Sequence, residues 1–304
     1  MKTKGITLVL IGAASFGFTP IFVKTGFSYG YTLGQLNITQ MLVAFAMLWG
    51  ISIVKGLKLK GMTKGDVLKV VATGTSVGLT GIFYYGAMLY IPASLAIILL
   101  FQFVWMGMIY EWIFSKAVPT KVNLLSLVVT LTGVVFASEI IGGDVAELPT
   151  IGLVLGLLSG ASYAGFIFFS GQVATKSHPI LRSALMVAGS LVLMLLVFVR
   201  EITSVPLGDG RLWLIAFGVA MVGAVLPPWF FAAGAPLIPG RLANVLSSVE
   251  LPVAIISAMV FLSESVSPLQ WFGILLIILA IFMNELGESF IRRKKGYREK
   301  IVHE

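Results

Sequence analysis

Long apolar stretches, each close to the length of a helix that crosses a bilayer, are the feature that most constrains this 304-residue chain. An α-helix needs about 20 apolar residues to cross the hydrocarbon core. Stretches of that kind fall at residues 6–24, 34–54, 67–87, 92–114, 121–138, 149–171, 180–199, 211–232, 240–262 and 268–288. With 58% hydrophobic and 11% charged residues, they predict an all-α polytopic membrane protein with ten transmembrane helices. A β-barrel would show shorter, alternating segments.

The basic residues lie mainly on one side of these predicted spans. If the N-terminus is inside, 18 of the 21 Lys and Arg fall at cytoplasmic ends, loops and tail, and the exceptions are Lys24, Arg200 and Arg211. This segregation follows the positive-inside rule and predicts that both termini are cytoplasmic, in a plasma (inner) membrane. The net charge of +8 therefore needs no nucleic-acid partner. The basic tail, residues 291–304, is expected to set the orientation and to contact anionic membrane lipids.

The two halves of the chain resemble each other at a fixed shift of 147 residues. Matches at this shift include Phe16 with Tyr163 as aromatic residues, and Ile91-Pro92 with Ile238-Pro239. The shift predicts one five-helix repeat at residues 1–145 and a second at 146–290. Because five spans is an odd number, the second repeat must be inverted in the membrane, an arrangement that recurs in transporters with central binding sites.

Two motifs resemble the EamA-type domains of the drug/metabolite transporter (DMT) superfamily. The first is residues 16–20, FGFTP, followed by Lys24. The second is the stretch 249–277, where the family commonly places a proline, a glutamate and a glycine, here Pro252, Glu264 and Gly273. The resemblance implies a secondary transporter, more specifically an exporter of small organic metabolites such as amino acids, with alternating access around a central cavity.

Glu250 is the leading candidate for the translocation path because it lies near the middle of the apolar stretch 240–262. A carboxylate at that depth costs about 2.5–3.5 kcal/mol on insertion scales, so it is expected to face protein or a water-filled path. It could carry protons, pair with an amine of the substrate, or, as a protonated group, simply join two helices. Asn244 and Ser248 precede it on the same predicted helix. Pro252 is expected to break that helix and to free the carbonyl of Ser248.

A second interruption is predicted at Pro227 and Pro228, in the middle of the eighth span. Tandem prolines in a membrane helix could act as a hinge or form a static kink that fits the packing. Trp229 follows directly, and its indole could stack on an organic substrate or face lipid near the membrane boundary.

Four further polar or amphipathic residues in apolar runs are candidates for lining the path: Gln40, Gln102, Tyr84 and Tyr163. The glutamines could hydrogen-bond a substrate or another helix. The tyrosines combine an apolar ring with a hydroxyl, which suits an amphipathic ligand, and Tyr163 is also the repeat partner of Phe16.

The residues that enzymes and metal sites require are scarce. The chain has no cysteine and two histidines, His178 and His303, neither of which lies in a predicted span. There is no HExxH pair, Walker loop or dinucleotide fingerprint. We therefore expect no enzyme activity, no cofactor and no metal. A non-transporting membrane sensor or scaffold that binds a lipid or metabolite is the alternative, and the choice between monomer and homodimer stays open.

Overall fold

A computed structural model describes residues 1–59, 61–91, 93–137, 149–262 and 266–283. In these ranges the chain is helical throughout, apart from connecting turns and loops. The α-helices are α1 Lys2–Phe16, α2 Thr19–Ser28, α3 Leu33–Val54, α4 Lys64–Ala87, α5 Ala93–Leu100, α6 Phe103–Ser115, α7 Lys121–Ala137, α8 Thr150–Ser170, α9 Pro179–Val197, α10 Gly210–Val219, α11 Leu226–Gly234, α12 Gly240–Ser247, α13 Glu250–Leu262 and α14 Pro268–Met283.

Eight helical segments are long and apolar enough to cross a membrane. Two shorter apolar helices, α7 and α14, complete the set within the described ranges. These helices confirm a polytopic all-α membrane protein, whereas the count of ten spans stays a prediction. The basic tail 291–304, Glu264 and the predicted boundary between residues 145 and 146 lie outside the described residues.

Polar caps fix where several helices begin. A Thr or Ser side chain accepts a hydrogen bond from the backbone N–H three residues later, and the side chain there accepts one from the cap's own N–H. Such reciprocal pairs satisfy N–H groups that have no partner inside the helix. They precede α3, α4, α7 and α14 as Thr32–Gln35, Thr63–Asp66, Thr120–Asn123 and Ser267–Gln270.

The shift of 147 residues recurs in the helix boundaries. Adding 147 to the limits of α5 gives those of α12, and adding it to the limits of α6 gives those of α13. The same shift carries α4 onto the segment from residue 211 to the end of α11. The internal resemblance is therefore structural as well as sequential.

The two halves do not form separate bundles, because helices of the first half pack against helices of the second half. Helix α4 contacts α8 and α9 most extensively, α1 contacts α11, and α3 contacts α9. Glycines allow the closest of these approaches: a Cβ on Gly74 would overlap the backbone carbonyl of Met186, and one on Gly189 would overlap that of Val71. At the same crossing the Ser190 hydroxyl donates to the Gly74 carbonyl at 2.5 Å. The α4–α9 contact thus depends on backbone meeting backbone.

Glycines on α8 also allow a neighbouring helix of the same chain to approach closely. A Cβ on Gly156 would meet Leu99 at 2.6 Å, and one on Gly160 would meet the Leu100 carbonyl at 2.9 Å. This face of α8 is therefore covered by α5.

Substitution of Gly74 tests the backbone contact. Gly74→Ala is expected to destabilise the fold by about 1–3 kcal/mol, because the added methyl group overpacks a fixed backbone. Gly50→Ala is the matched control, since a Cβ at Gly50 meets nothing within 4 Å. It should be neutral or stabilising by up to about 1 kcal/mol. Thermal unfolding of both purified variants in detergent measures the difference, and equal behaviour would show that the α4–α9 crossing adapts freely.

Candidate functional site

Three of the predicted apolar segments are interrupted near their middle. The interruptions fall at Gly17–Phe18 between α1 and α2, at 101–102 between α5 and α6, and at 248–249 between α12 and α13. The second and third are related by the shift of 147 residues. Discontinuous helices are the common way in which transporters place backbone polar groups beside a central site.

Pro252 does not have the role predicted for it. The interruption precedes it, at Ser248–Val249, and the Ser248 carbonyl is not freed, because it accepts a hydrogen bond from the Leu251 N–H at 3.3 Å. Pro252 lies in the first turn of α13, where a backbone N–H has no helical partner in any case. The equivalent interruption at 101–102 has Trp105 where the second half has Pro252. A proline is therefore not required for a break of this kind.

The tandem prolines 227 and 228 follow a different distortion. Residues Ala220–Val225 form a π-helical turn, and Pro227 and Pro228 occupy the first turn of α11 directly after it. Both prolines are buried. The wider π-helical turn therefore lies directly before two residues that have no backbone N–H to donate. That this segment acts as a hinge stays a prediction.

The interrupted helices meet one another. A Cβ on Gly17 would lie 2.6 Å from the Glu250 carbonyl, so the α1–α2 break packs directly on the α12–α13 break. On the other side, a Cβ on Gly160 of α8 would lie 3.3 Å from the Phe103 backbone nitrogen, at the α5–α6 break. The breaks are thus buried between helices instead of facing lipid.

Glu250, at the start of α13, is 6% exposed and lies at this meeting point. Three buried tyrosines, Tyr84 and Tyr85 on α4 and Tyr163 on α8, interact electrostatically with its carboxyl group. The Tyr163 hydroxyl lies beside this carboxyl group, although the two do not form a well-formed hydrogen bond. The structure therefore brings together three of the residues singled out in the sequence, Glu250, Tyr84 and Tyr163.

Tyr163 is also the centre of an aromatic cluster. Its ring stacks on Phe16 with centroids 5.5 Å apart and meets the edge of Phe103 at 4.9 Å. The shift of 147 residues relates Phe16 to Tyr163 and Phe103 to Glu250. The four residues therefore form two repeat-related pairs in which the first half supplies phenylalanines and the second supplies a hydroxyl and a carboxyl group.

Several buried polar atoms in this region have no hydrogen-bond partner within the described residues. They are Thr19 Oγ1, Tyr163 OH, Asn244 Oδ1, Ser248 Oγ and Glu250 Oε2. Buried polar atoms normally have a partner, which can be water or a ligand. Each of these atoms is therefore available to a water molecule or to a small ligand.

The other candidates have local partners. The Asn244 amide donates to the Gly240 carbonyl at 2.9 Å, and Gln40 donates to Asn37 at 3.3 Å. Gln102 accepts from the Trp105 indole at 2.7 Å. Trp229 is half-buried and stacks on Phe230 with centroids 5.7 Å apart. Of these, Asn244 lies against Gly107 of α6, one turn beyond Phe103. The described side-chain contacts of Gln40, Gln102 and Trp229 are with Asn37, Trp105 and Phe230 and do not include Glu250.

Two buried charges were not recognised as such from the sequence. Arg182, counted among the cytoplasmic-end cations, is fully buried and donates to the carbonyls of Ser170 and Ala232, near the C-terminal ends of α8 and α11. A cation there is favourable because helix C-termini carry partial negative charge. Glu111 accepts from the Arg241 N–H at 2.8 Å at the start of α12. The Arg241 guanidinium also lies 4.0 Å from the Glu111 carboxylate, so the two residues join α6 to α12.

Polar contacts join two loops at the predicted outer end. Tyr31 donates to Asp209 at 2.5 Å, Thr32 donates to Glu201, and Gln35 donates to the Ser204 carbonyl at 2.9 Å. The hydrogen bond from Tyr31 lowers the pKa of Asp209, and the same bond raises the pKa of Tyr31. These bonds close the α2–α3 connection onto the α9–α10 connection.

Taken together, the fold and the site define a multi-pass α-helical membrane protein, built from two related halves around a buried polar centre. The profile of the EamA-like transporter family matches residues 3–139 and again residues 150–286. The two matches are offset by the same 147 residues. The chain belongs to the EamA-like transporter family, which confirms the resemblance carried by residues 16–20 and 249–277, and it is a transporter rather than an enzyme.

Relatives span nearly the whole chain. It is 28% identical to the threonine/homoserine exporter RhtA of Escherichia coli (strain K12) over 296 residues, covering 96% of this chain and 93% of that protein. An uncharacterized transporter of Synechocystis is 22% identical, with 91% and 92% covered. A solved crystal structure with 12% identity has a TM-score of 0.80 over 96% of this chain and 99% of that chain, which shows the shared fold.

The Tyr31–Asp209 bond predicts how stability depends on pH. Folding lowers the pKa of Asp209, so the ionised carboxylate stabilises the folded state. This contribution to stability is complete above the unfolded-state pKa of about 3.9 and is lost as the pH falls through the folded-state pKa. Asp209→Asn should therefore destabilise the protein at pH 7, and this effect should shrink steadily as the pH falls below about 3.9. Thermal unfolding of Tyr31→Phe, Asp209→Asn and the double variant measures this. Additive effects, or a deficit independent of pH, would contradict the bond.

Proposed function

We propose that this protein is a secondary transporter that exports small amino acids or closely related amphipathic metabolites. It works in the plasma (inner) membrane with both termini in the cytoplasm. The observation that carries the proposal is the buried Glu250, with an unpartnered oxygen, among three tyrosines where interrupted helices meet. The names of the relatives support the substrate class, since RhtA proteins are described as threonine/homoserine exporters.

The chemistry of the centre suits an amino acid. The carboxylate of Glu250 can accept hydrogen bonds from an ammonium group, and such charge-assisted bonds are the strong ones. The hydroxyls of Tyr163 and Ser248, and the Asn244 oxygen, can bond the remaining polar groups of the same molecule. The rings of Phe16 and Phe103 supply an apolar wall for its carbon atoms.

A second role for Glu250 is to couple transport to protons. In this conformation the carboxyl group is 6% exposed and the outer end is closed by hydrogen bonds. Export then requires that the inner and outer ends open in turn. A carboxyl group that is exposed alternately to each side can release a substrate ammonium in exchange for a proton.

Replacement of the carboxyl group tests the proposal. In liposomes that contain purified protein, Glu250→Gln should reduce flux of labelled threonine or homoserine about 10- to 100-fold, because a charge-assisted bond worth about 1.5–3 kcal/mol is lost. Glu111→Gln is the matched control, another buried glutamate whose oxygen accepts a backbone N–H and which should keep its flux. Binding without flux in the wild type would instead support a sensor, and equal flux in Glu250→Gln would overturn the role of Glu250.

Proton coupling has its own measurement. An imposed pH difference across the liposome membrane should change wild-type flux, and Glu250→Gln should lose that response along with most of its rate. A wild-type flux that ignores the pH difference would leave substrate pairing as the role of Glu250 and exclude proton exchange.

The hydroxyl of Tyr163 can be removed while its ring contacts stay. Tyr163→Phe should raise the apparent KM about 2- to 10-fold, because one neutral hydrogen bond worth about 0.5–1.5 kcal/mol is lost. Phe166→Tyr is a control in the same aromatic stack, since it changes a ring that stacks on Tyr163 while Tyr163 keeps its own hydroxyl. An unchanged KM in Tyr163→Phe would show that the hydroxyl does not contact the substrate.

A further inference from the structure

A cavity of about 230 Å³ lies at the predicted inner end, between the α3–α4 and α8–α9 connections. Its polar lining comes from Lys58 on one side and from Lys176, Ser177 and His178 on the other, and no acidic side chain of the described ranges lines it. Neither lysine forms an ion pair or hydrogen bond within the described part of the chain. Asp66, on the nearby α4, is engaged by Thr63 as a helix cap.

Comparison with the other repeat indicates which chemical group this cavity would bind. The shift of 147 residues carries Tyr31 onto His178 and Met62 onto Asp209. At the outer end, Tyr31 donates to Asp209 and the two loops are closed. At the inner end, His178 and Met62 both line the cavity, and the position of the carboxylate is taken by a side chain that cannot accept a strong hydrogen bond.

His178 is suited to donate in this position. Its Nδ1 accepts the Ile180 N–H at 3.3 Å, which assigns the proton of the neutral ring to Nε2. The outer end thus has a donor and a built-in anion, whereas the inner end has a donor and two cations with no anion from the described residues.

We propose that this cavity is an oxyanion site, in which a carboxylate or phosphate group bound by Lys58, Lys176 and His178 bridges the two loops as Asp209 bridges them at the outer end. The site is independent of the substrate proposed for Glu250. The oxyanion has two sources, a small cytoplasmic solute or the phosphate of an anionic lipid headgroup, because the cavity lies where the inner leaflet is expected. Either source would hold the inner end closed while it is bound.

The absence of cysteine from the natural chain allows a direct test. Ser177→Cys places a thiol in the lining, and its rate of reaction with a neutral maleimide reports occupancy. Full-length protein in phosphatidylcholine nanodiscs is labelled with and without sodium phosphate or acetate, against choline chloride at equal ionic strength. A second set of nanodiscs contains phosphatidylglycerol. The expected result is labelling about 3-fold or more slower with the soluble anions, or slower in phosphatidylglycerol without them, which identifies the source.

Charge variants separate a site from a general salt effect. Lys58→Gln with Lys176→Gln should abolish the protection, and Lys58→Arg with Lys176→Arg should keep it. Lys55→Gln is the matched control, an exposed lysine three residues before Lys58 that does not line the cavity and whose loss should leave the protection unchanged. Equal labelling rates under all anion and lipid conditions, or protection that survives the double glutamine variant, would overturn the proposal.

Discussion

A carboxyl group at bilayer depth must be surrounded by protein, and this requirement organises the centre of the molecule. Backbone and side-chain polar groups cannot be left in hydrocarbon, so helices that break within the membrane must break where other helices or a water-filled cavity cover them. Here the break at Gly17 packs on the break beside Glu250, and α8 packs on the break at 101–102. Glycines make both contacts possible, because a side chain at Gly17 or Gly160 would separate the broken ends.

The two halves share a fold but divide the chemistry unequally. The repeat places Phe103 where the second half has Glu250, and Phe16 where it has Tyr163. The first half therefore supplies apolar walls to a site whose hydrogen-bonding groups come mainly from the second. Tyr84 and Tyr85 on α4 are polar contributions of the first half to the surroundings of Glu250. A ligand in the centre would contact both halves, so relative motion of the halves would change its surroundings.

Much of this arrangement could be predicted from residues with strong physical signals. Glu250 stands out because charge is rare in an apolar run, and the repeat shift pointed to Tyr163 through its pairing with Phe16. The position of the helix breaks could not be predicted, because proline was the only local signal and the break at 101–102 has none. Arg182 was misjudged for a related reason: the carbonyls that accept its hydrogen bonds belong to distant helix ends, and sequence spacing does not reveal them.

Access to the centre from both sides of the membrane is the claim on which the transport mechanism depends, and labelling of a single cysteine at Ser248 measures it most directly. The natural chain has no cysteine, and Ser248 is buried two residues before Glu250 with its hydroxyl unpartnered. Impermeant thiol reagents applied to right-side-out and inside-out vesicles should each label Ser248→Cys, and threonine or homoserine should slow both reactions. Labelling from neither side, while the variant still transports, would show that the path does not pass this group.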